Sequence, residues 1–304
     1  MIKGTVIQST GSWYQVNTGE ETIACRLPGK FRLEEKDVTN PIAVGDDVII
    51  SMNEDETGRI EEILPRENYV PRSATHGKRG DQILVANIDR AFVVQSIRKP
   101  KLKEGFTDRF LVTCEAYEIE PCIIINKADL ATQNDLAFLE ELKERYEVLG
   151  YKILITSAEK RHDLKELEDL LKDQTSVFIG PSGVGKTSLI NAIDPEYNLK
   201  VGEISSYSNK GKHTTTFARL IPLSAGGYIV DTPGIREFGL VNIEPWELSL
   251  FFPEMLEPRT RCKFNNCTHV HEPGCGVIDA FEQGQIDPGR YNSYLNMLES
   301  LQDE

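Results

Sequence analysis

Gly180-Pro-Ser-Gly-Val-Gly-Lys-Thr-Ser188 decides the fold. Residues 176–179, Ser-Val-Phe-Ile, precede it as a short buried strand, and residues 188–192 follow it as a helix closed by Asp194-Pro195. A strand, then G-x-x-x-x-G-K-T, then a helix is the setting of a phosphate-binding loop. Gly180, Gly183 and Gly185 let the backbone curl until its N–H groups point inward at phosphate oxygens. Pro181, Ser182 and Val184 complete the loop. The helix start at Lys186 adds the positive end of its dipole. Lys186 reaches β- and γ-phosphates, the Thr187 hydroxyl ligates Mg²⁺, and Ser188 closes the candidate phosphate site. A glycine-rich turn that binds nothing is the alternative, and the clean flanks speak against it.

Upstream, residues 121–125 read as a strand running into Asn126-Lys-Ala-Asp129. Open α/β sheets bind ligands at the carboxyl ends of their strands. N-K-x-D there is a guanine-reading pattern. Asp129 accepts from the guanine N1–H and 2-amino group, which adenine does not offer. Asn126 bridges base and phosphate loop, the methylenes of Lys127 lie against the purine, and Ala128 is the spacer. Ser157-Ala158, at the end of a strand over 151–155, offers a backbone N–H to the base O6. Helix capping by Asp129 is the structural alternative.

Downstream come Gly211-Lys-His-Thr-Thr-Thr216 and Asp231-Thr-Pro-Gly234. The first has the form of a switch segment in which one threonine, Thr215 in preference to Thr214 or Thr216, completes the Mg²⁺ shell. The second is D-x-x-G: Asp231 holds a Mg²⁺-bound water and the Gly234 N–H meets the γ-phosphate. Many GTPases place a glutamine just after D-x-x-G, but here that position is Ile235, which cannot orient water. His213, directly before the threonines, is the titratable group suited to do so.

The 304 residues suggest two or three domains, with the apolar and charged fractions of a globular protein. No apolar run approaches membrane-spanning length, and the N-terminus carries no signal-like hydrophobic region, so a cytoplasmic protein without a membrane partner is expected. A net charge of −14 excludes indiscriminate nucleic-acid binding. Two local patches run against that mean. Arg66, Arg72, Lys78 and Arg79 face only Glu67 and Asp81, and Arg98, Lys99, Lys101 and Lys103 form a second group. They are either solvated loops or places where an acidic protein touches RNA.

Strands over 2–8, 13–17, 22–26, 47–52 and 59–63 alternate apolar and polar side chains between turn signals, which suits an OB-type barrel. Trp13 and Tyr14 offer base-stacking surfaces, though neighbours point to opposite faces and one of them belongs to the core. Two prolines and two glycines make 65–82 a linker or mobile loop. Strands then alternate with helices to the phosphate loop, implying a parallel sheet covered on both faces. Near the C-terminus a helix over 244–252 precedes Cys262-x4-Cys267-x-His269-x5-Cys275. Three cysteines and a histidine are the ligand set of a closed structural zinc site, with His271 as a spare. Cys25, Cys114 and Cys122 read as small core residues. Asp287-Pro288 starts a last helix with Tyr291, Tyr294, Leu295 and Leu298 on one face.

The motif order is abnormal, with the guanine-reading motifs before the phosphate loop. A barrel in front, a permuted GTPase in the middle and a Cys/His cluster behind resemble the ribosome small-subunit-dependent GTPase A family, also called RsgA or YjeQ, over essentially the whole chain. The resemblance implies a multidomain protein. Its parts would be an OB-fold RNA-binding domain (1–65), a basic linker (66–82), a circularly permuted α/β GTPase domain (83–240) and a mainly helical zinc-binding module (241–304). It implies a GTP hydrolase, yielding GDP, that binds the small (30S) ribosomal subunit and 16S ribosomal RNA as a monomer in late subunit assembly. It further implies one structural Zn²⁺ on Cys262, Cys267, His269 and Cys275, Mg²⁺ with GTP, and a catalytic His213. Hydrolysis would be slow alone, accelerated by the subunit, and coupled to release. Two rival readings are an RNA-binding placeholder with GTP as conformational ligand, and a GTPase serving another RNA.

Overall fold

The alternation of apolar side chains near the N-terminus closes a barrel. In the computed structural model, which describes residues 1–10, 12–28, 41–72, 82–195, 218–231, 240 and 243–302, five strands form it: β1 (Ile2–Ser9), β2 (Tyr14–Asn17), β3 (Thr22–Arg26), β4 (Asp47–Met52) and β5 (Gly58–Ile63). Their order is β1-β2-β3-β5-β4, and β4 pairs back onto β1. Val6, Val16, Ile23, Val48, Ile50 and Ile60 fill the inside, as period-2 patterning requires. Tyr14 turns into this core at 2 % exposure, while Trp13 lies outward with the Arg26 guanidinium 4.1 Å from its ring centre.

Strands β6 (Tyr69–Arg72) and β7 (Gln82–Ala86) pair antiparallel, so part of the stretch read as a linker or mobile loop is a strand. Its prolines and glycines masked the apolar Val70, which packs with Val44 and Val85 in the central core. Arg66 is not a free basic group either. Its Nε and Nη2 donate to Asp46 Oδ1 and Oδ2 at 2.6 and 2.8 Å, and Asp46 is fully buried. Lys78, Arg79, Asp81 and the side chain of Arg72 lie outside the described residues. Arg66→Ala strands that carboxylate. The expected loss is about 3 kcal/mol of unfolding free energy, the scale for breaking a buried pair, read by urea denaturation. A loss under about 1 kcal/mol would mean that water replaces the guanidinium.

After β8 (Arg90–Ser96) the chain forms α1 (Glu104–Ala116), β9 (Glu120–Asn126), α2 (Gln133–Glu147), β10 (Lys152–Ile155), α3 (Leu164–Leu171), β11 (Thr175–Ile179), α4 (Lys186–Ile193), β12 (Arg219–Pro222) and β13 (Tyr228–Asp231). The sheet order is β10-β9-β8-β11-β13-β12, parallel except for β12. Runs such as Cys122-Ile-Ile-Ile125 are apolar throughout because both faces are covered. Phe110 and Leu111 of α1 and Leu139 and Leu142 of α2 pack on one face; Leu164 and Leu167 of α3 and Leu189 and Ile190 of α4 pack on the other. Thus β11, late in the chain, lies mid-sheet between β8 and β13. Gln8 of β1 pairs with Arg219 of β12, and Asn17 Nδ2 donates to the Tyr228 hydroxyl at 2.7 Å, so barrel and sheet are continuous.

The expected helix over 244–252 is a turn followed by a single 3-10 turn, Leu248–Phe251. Phe252 precedes a proline, which disfavours helical backbone, and it sits extended at φ −117°, ψ 100°. Then come α5 (Pro253–Arg259), α6 (Gly276–Glu282) and α7 (Pro288–Gln302). Tyr291, Tyr294 and Leu298 are buried along α7, with Leu295 packed beside them. Val112 of α1 joins this cluster, so the C-terminal part rests on the sheet domain. Arg290, at 1 % exposure, fixes the contact: it donates to Asp108 of α1 at 2.7 Å and twice to Glu254 of α5, and its guanidinium lies 4.7 Å from the Phe252 ring centre. Among the described residues no helix is long and apolar enough to cross a membrane.

Candidate functional site

The parallel register brings the carboxyl ends of β9, β10, β11 and β13 to one edge, where the candidate nucleotide residues meet. The loop after β11 turns tightly enough that glycine is required. A Cβ on Gly180 would lie 2.1 Å from the Val94 carbonyl, and one on Gly185, at φ +100°, 2.3 Å from Asn126 Nδ2. Val184 is buried beneath the loop while Ser182 and Gly183 are exposed at its apex and Pro181 is half-buried. Lys186 Nζ donates to the Gly180 and Pro181 carbonyls at 2.7 and 3.1 Å, and phosphate oxygens would compete with those carbonyls for its protons. Thr187 is buried beside it in the first turn of α4, and Ser188 faces outward.

The guanine motif is tied to this loop directly. Asn126 Nδ2 donates to the Val184 carbonyl at 2.9 Å. Lys127, in the left-handed region at φ 63°, donates from Nζ to the carbonyls of Gly183 and Lys99, both at 2.6 Å. Its methylenes are thereby held taut across the pocket rather than free. Ala128 N–H donates to the Thr156 carbonyl, which sets the turn after β9. Ser157 Oγ donates to Asp129 Oδ1 at 2.5 Å and accepts from Lys160 N–H, orienting an otherwise exposed carboxylate. Of the Ser157-Ala158 pair, expected to offer a backbone N–H to the base, the Ala158 N–H donates to Asn126 Oδ1 at 3.2 Å. Asp231 ends β13, with Oδ2 accepting from Arg219 Nε at 2.8 Å. His213, Thr214, Thr215, Thr216 and Gly234 lie outside the described residues.

Cys262, Cys267, His269 and Cys275 form a second centre, their ligand atoms all within 4.8 Å of one another. A tetrahedral zinc with Zn–S near 2.3 Å and Zn–N near 2.0–2.1 Å requires edges of about 3.5–3.8 Å. Cys262 Sγ stands 3.6 Å from His269 Nδ1 and 3.9 Å from Cys275 Sγ, and Nδ1 stands 3.3 Å from Cys275 Sγ. The donor set therefore fits. Burial, helped by Arg259 and opposed by Glu272, holds His269 down at about 4, so the ring is neutral as a ligand must be. Its Nε2 is buried without a hydrogen-bond partner, which leaves the Nδ1 lone pair for the thiol side. Burial raises Cys267 to about 12, so a metal must displace thiol protons on binding. Glu272 pins the ligand loop by accepting from the N–H groups of Thr268, Val270 and His271, and His271 itself is exposed.

Sequence reasoning missed the Lys99 carbonyl and the Arg290 network. Backbone groups leave no sequence signature. Arg290 did leave one: it precedes Tyr294 by four residues and Met297 by seven, on the apolar stripe of α7.

The comparisons with known proteins agree in family. Residues 63–241 match the model of the RsgA GTPase, and residues 3–60 that of the RsgA N-terminal domain. The small ribosomal subunit biogenesis GTPase RsgA of Phocaeicola vulgatus is 45 % identical over 99 % of this chain and 98 % of its own length. The corresponding RsgA 2 of Bacteroides thetaiotaomicron is 43 % identical over the same shares. The crystal structure of YjeQ from Thermotoga maritima superposes with a TM-score of 0.83 at 37 % identity, covering 100 % of this chain and 99 % of that one. YloQ, described as a circularly permuted GTPase, gives 0.77 at 32 % identity, covering 100 % and 96 %.

Proposed function

The chain belongs to the RsgA GTPase family, and from that premise we propose how its own residues bind GTP, hydrolyse it and couple it to biogenesis of the small ribosomal subunit. It is a GTP-hydrolysing enzyme of that process. The observation that carries the site assignment is the pair of bonds from Asn126 and Lys127 to the phosphate-loop carbonyls. They join guanine reading and phosphate binding in one pocket although the chain presents the two in reversed order. Asp129 takes the guanine edge and Lys186 the β- and γ-phosphates; Thr187 and Thr215 would ligate Mg²⁺, Asp231 would hold one of its waters, and the Gly234 N–H meets the γ-phosphate. Water attacks the γ-phosphorus in line, and GDP and phosphate leave. Mg²⁺ would neutralise charge developing on the phosphate oxygens.

In this reading His213 orients the attacking water, the subunit orders the segment that carries it, and phosphate loss loosens the protein from 16S ribosomal RNA. One Zn²⁺ holds the C-terminal module, and the protein works as a cytoplasmic monomer. The domain limits proposed remain 1–65, 66–82, 83–240 and 241–304, with strand β6 inside the second. Single-turnover and steady-state hydrolysis, with and without purified small subunits, test the scheme. Subunits should raise turnover, and His213→Ala should lower the stimulated rate by about 10²-fold or more with GTP affinity little changed. Unchanged turnover at saturating GTP and subunits removes His213 from the site. Unstimulated turnover in the unmodified protein favours the placeholder reading.

A further inference from the structure

Residues 97–103 run from the end of β8 into α1 as a strap beside Lys127 and the phosphate-loop apex. Its backbone is fixed at three points. Lys127 Nζ donates to the Lys99 carbonyl, Ser96 Oγ to the Pro100 carbonyl at 2.7 Å, and Gln95 Nε2 to the Lys103 carbonyl at 2.9 Å. Pro100 lies beside the loop apex, with its Cδ 3.9 Å from where a Cβ of Gly183 would stand.

The strap's charges are sorted as its backbone is fixed. Arg98 is spent internally, on Asp135 at 2.7 Å and Thr132 at 3.2 Å. Glu104, the acid next to Lys103, is paired with Arg145. Lys99, Lys101 and Lys103 are exposed, and none of them has a carboxylate partner among the described residues. A protein of net charge −14 thus presents three unneutralised ammonium groups on a rigid segment at the rim of its nucleotide site. Such a concentration against the mean field attracts a polyanion locally while the rest of the surface repels it.

We propose that this strap docks the sugar–phosphate backbone of RNA in the small subunit. Because the Lys99 carbonyl shares one ammonium with the Gly183 carbonyl, RNA bound on the strap fixes the group that spans guanine motif and phosphate loop. Partner binding and nucleotide binding are then coupled through Lys127, and each strengthens the other by the same factor. The inference rests on the small-subunit reading above and adds the place and chemistry of contact. Of the other basic patch, Arg66 is consumed by Asp46.

The test uses the full chain with Lys101→Gln/Lys103→Gln and Lys101→Glu/Lys103→Glu. These alter side chains only, leaving the bonded carbonyls in place. Affinity for small subunits is measured by co-sedimentation across a salt series, and affinity for GTP without subunits by fluorescence titration. The Gln pair should flatten the log–log salt slope by about 2, one per lysine, and the Glu pair should weaken binding further, with intrinsic GTP affinity unchanged in both. A native salt slope and affinity in both variants overturn the strap while leaving the small-subunit reading intact. Failure of the unmodified protein to bind subunits overturns both. Loss of subunit binding with native affinity for deproteinised ribosomal RNA assigns the strap to an acidic ribosomal protein and overturns the RNA proposal.

Discussion

Asp129→Asn should cut GTP affinity by about 10³-fold and create a preference for xanthosine nucleotides. In the proposed site the carboxylate would accept two charge-assisted bonds, each worth about 1.5–3 kcal/mol, from donors that only guanine presents together. An amide keeps one acceptor and turns a donor toward the 2-amino group, so one bond is lost and one contact becomes repulsive. Xanthine carries an oxygen in that place and accepts from the new amide. The fold supports a clean exchange, because the Ser157 hydroxyl that orients Oδ1 at 2.5 Å can donate equally to an amide oxygen. Competition titration with GTP, XTP and ATP checks it. Retained GTP preference in the variant, or equal ATP and GTP affinity in the unmodified protein, would sink the guanine assignment.

The second large effect belongs to the metal centre. Structural zinc supplies an apparent binding free energy of about 10–16 kcal/mol at neutral pH, comparable to the whole stability of a domain. Cys275 is the informative ligand because it has two jobs. Its Sγ belongs to the cluster and also caps α6 by accepting from Ile278 N–H at 3.4 Å. Serine preserves the cap, and is a favoured residue there, but offers no thiolate. Cys275→Ser therefore isolates the metal's contribution. Elemental analysis should fall from one zinc per chain to near none, with amide protection lost along α5 and α6. GTP binding persists, since the nucleotide residues lie on other elements. Full zinc content in this variant would refute the ligand set.

What the sequence made legible is chemistry carried by neighbours in the chain. Gly180 to Ser188, Asn126 to Asp129 and Cys262 to Cys275 each hold their candidate groups within a single turn or loop, so residue type and spacing point to them, and the family resemblance adds weight to the Cys/His set, whose spacing is not C-x2-C. What stayed hidden depends on closure between distant segments. Asp46 meets Arg66, Gln8 meets Arg219, and Asp108 meets Arg290 across 182 positions. Tyr69–Arg72 was misread because a strand is defined by its partner, and that partner follows a glycine-containing stretch. Ala158 shows a subtler limit. Its place at the end of β10 was readable, but the direction of its N–H depends on a side chain 32 residues away.

The sheet order carries a consequence for biosynthesis. Of the parallel sheet, strands β8, β9 and β10 leave the ribosome first and can pair with one another, yet the slot beside β8 stays open until β11 arrives, and β11 is flanked on both sides only once β13 has followed. The guanine-reading half thus exists before any phosphate loop does, and no nucleotide can template the early chain. The barrel edge waits longer still for β12, and α1 waits for α7 at the far end. Such late, sequence-distant closures make folding slow and leave apolar strand edges uncovered in the nascent protein. A factor that serves the ribosome therefore brings its two sheet halves together only late in its own synthesis, and until β11 arrives its open β8 edge is a natural client for chaperones.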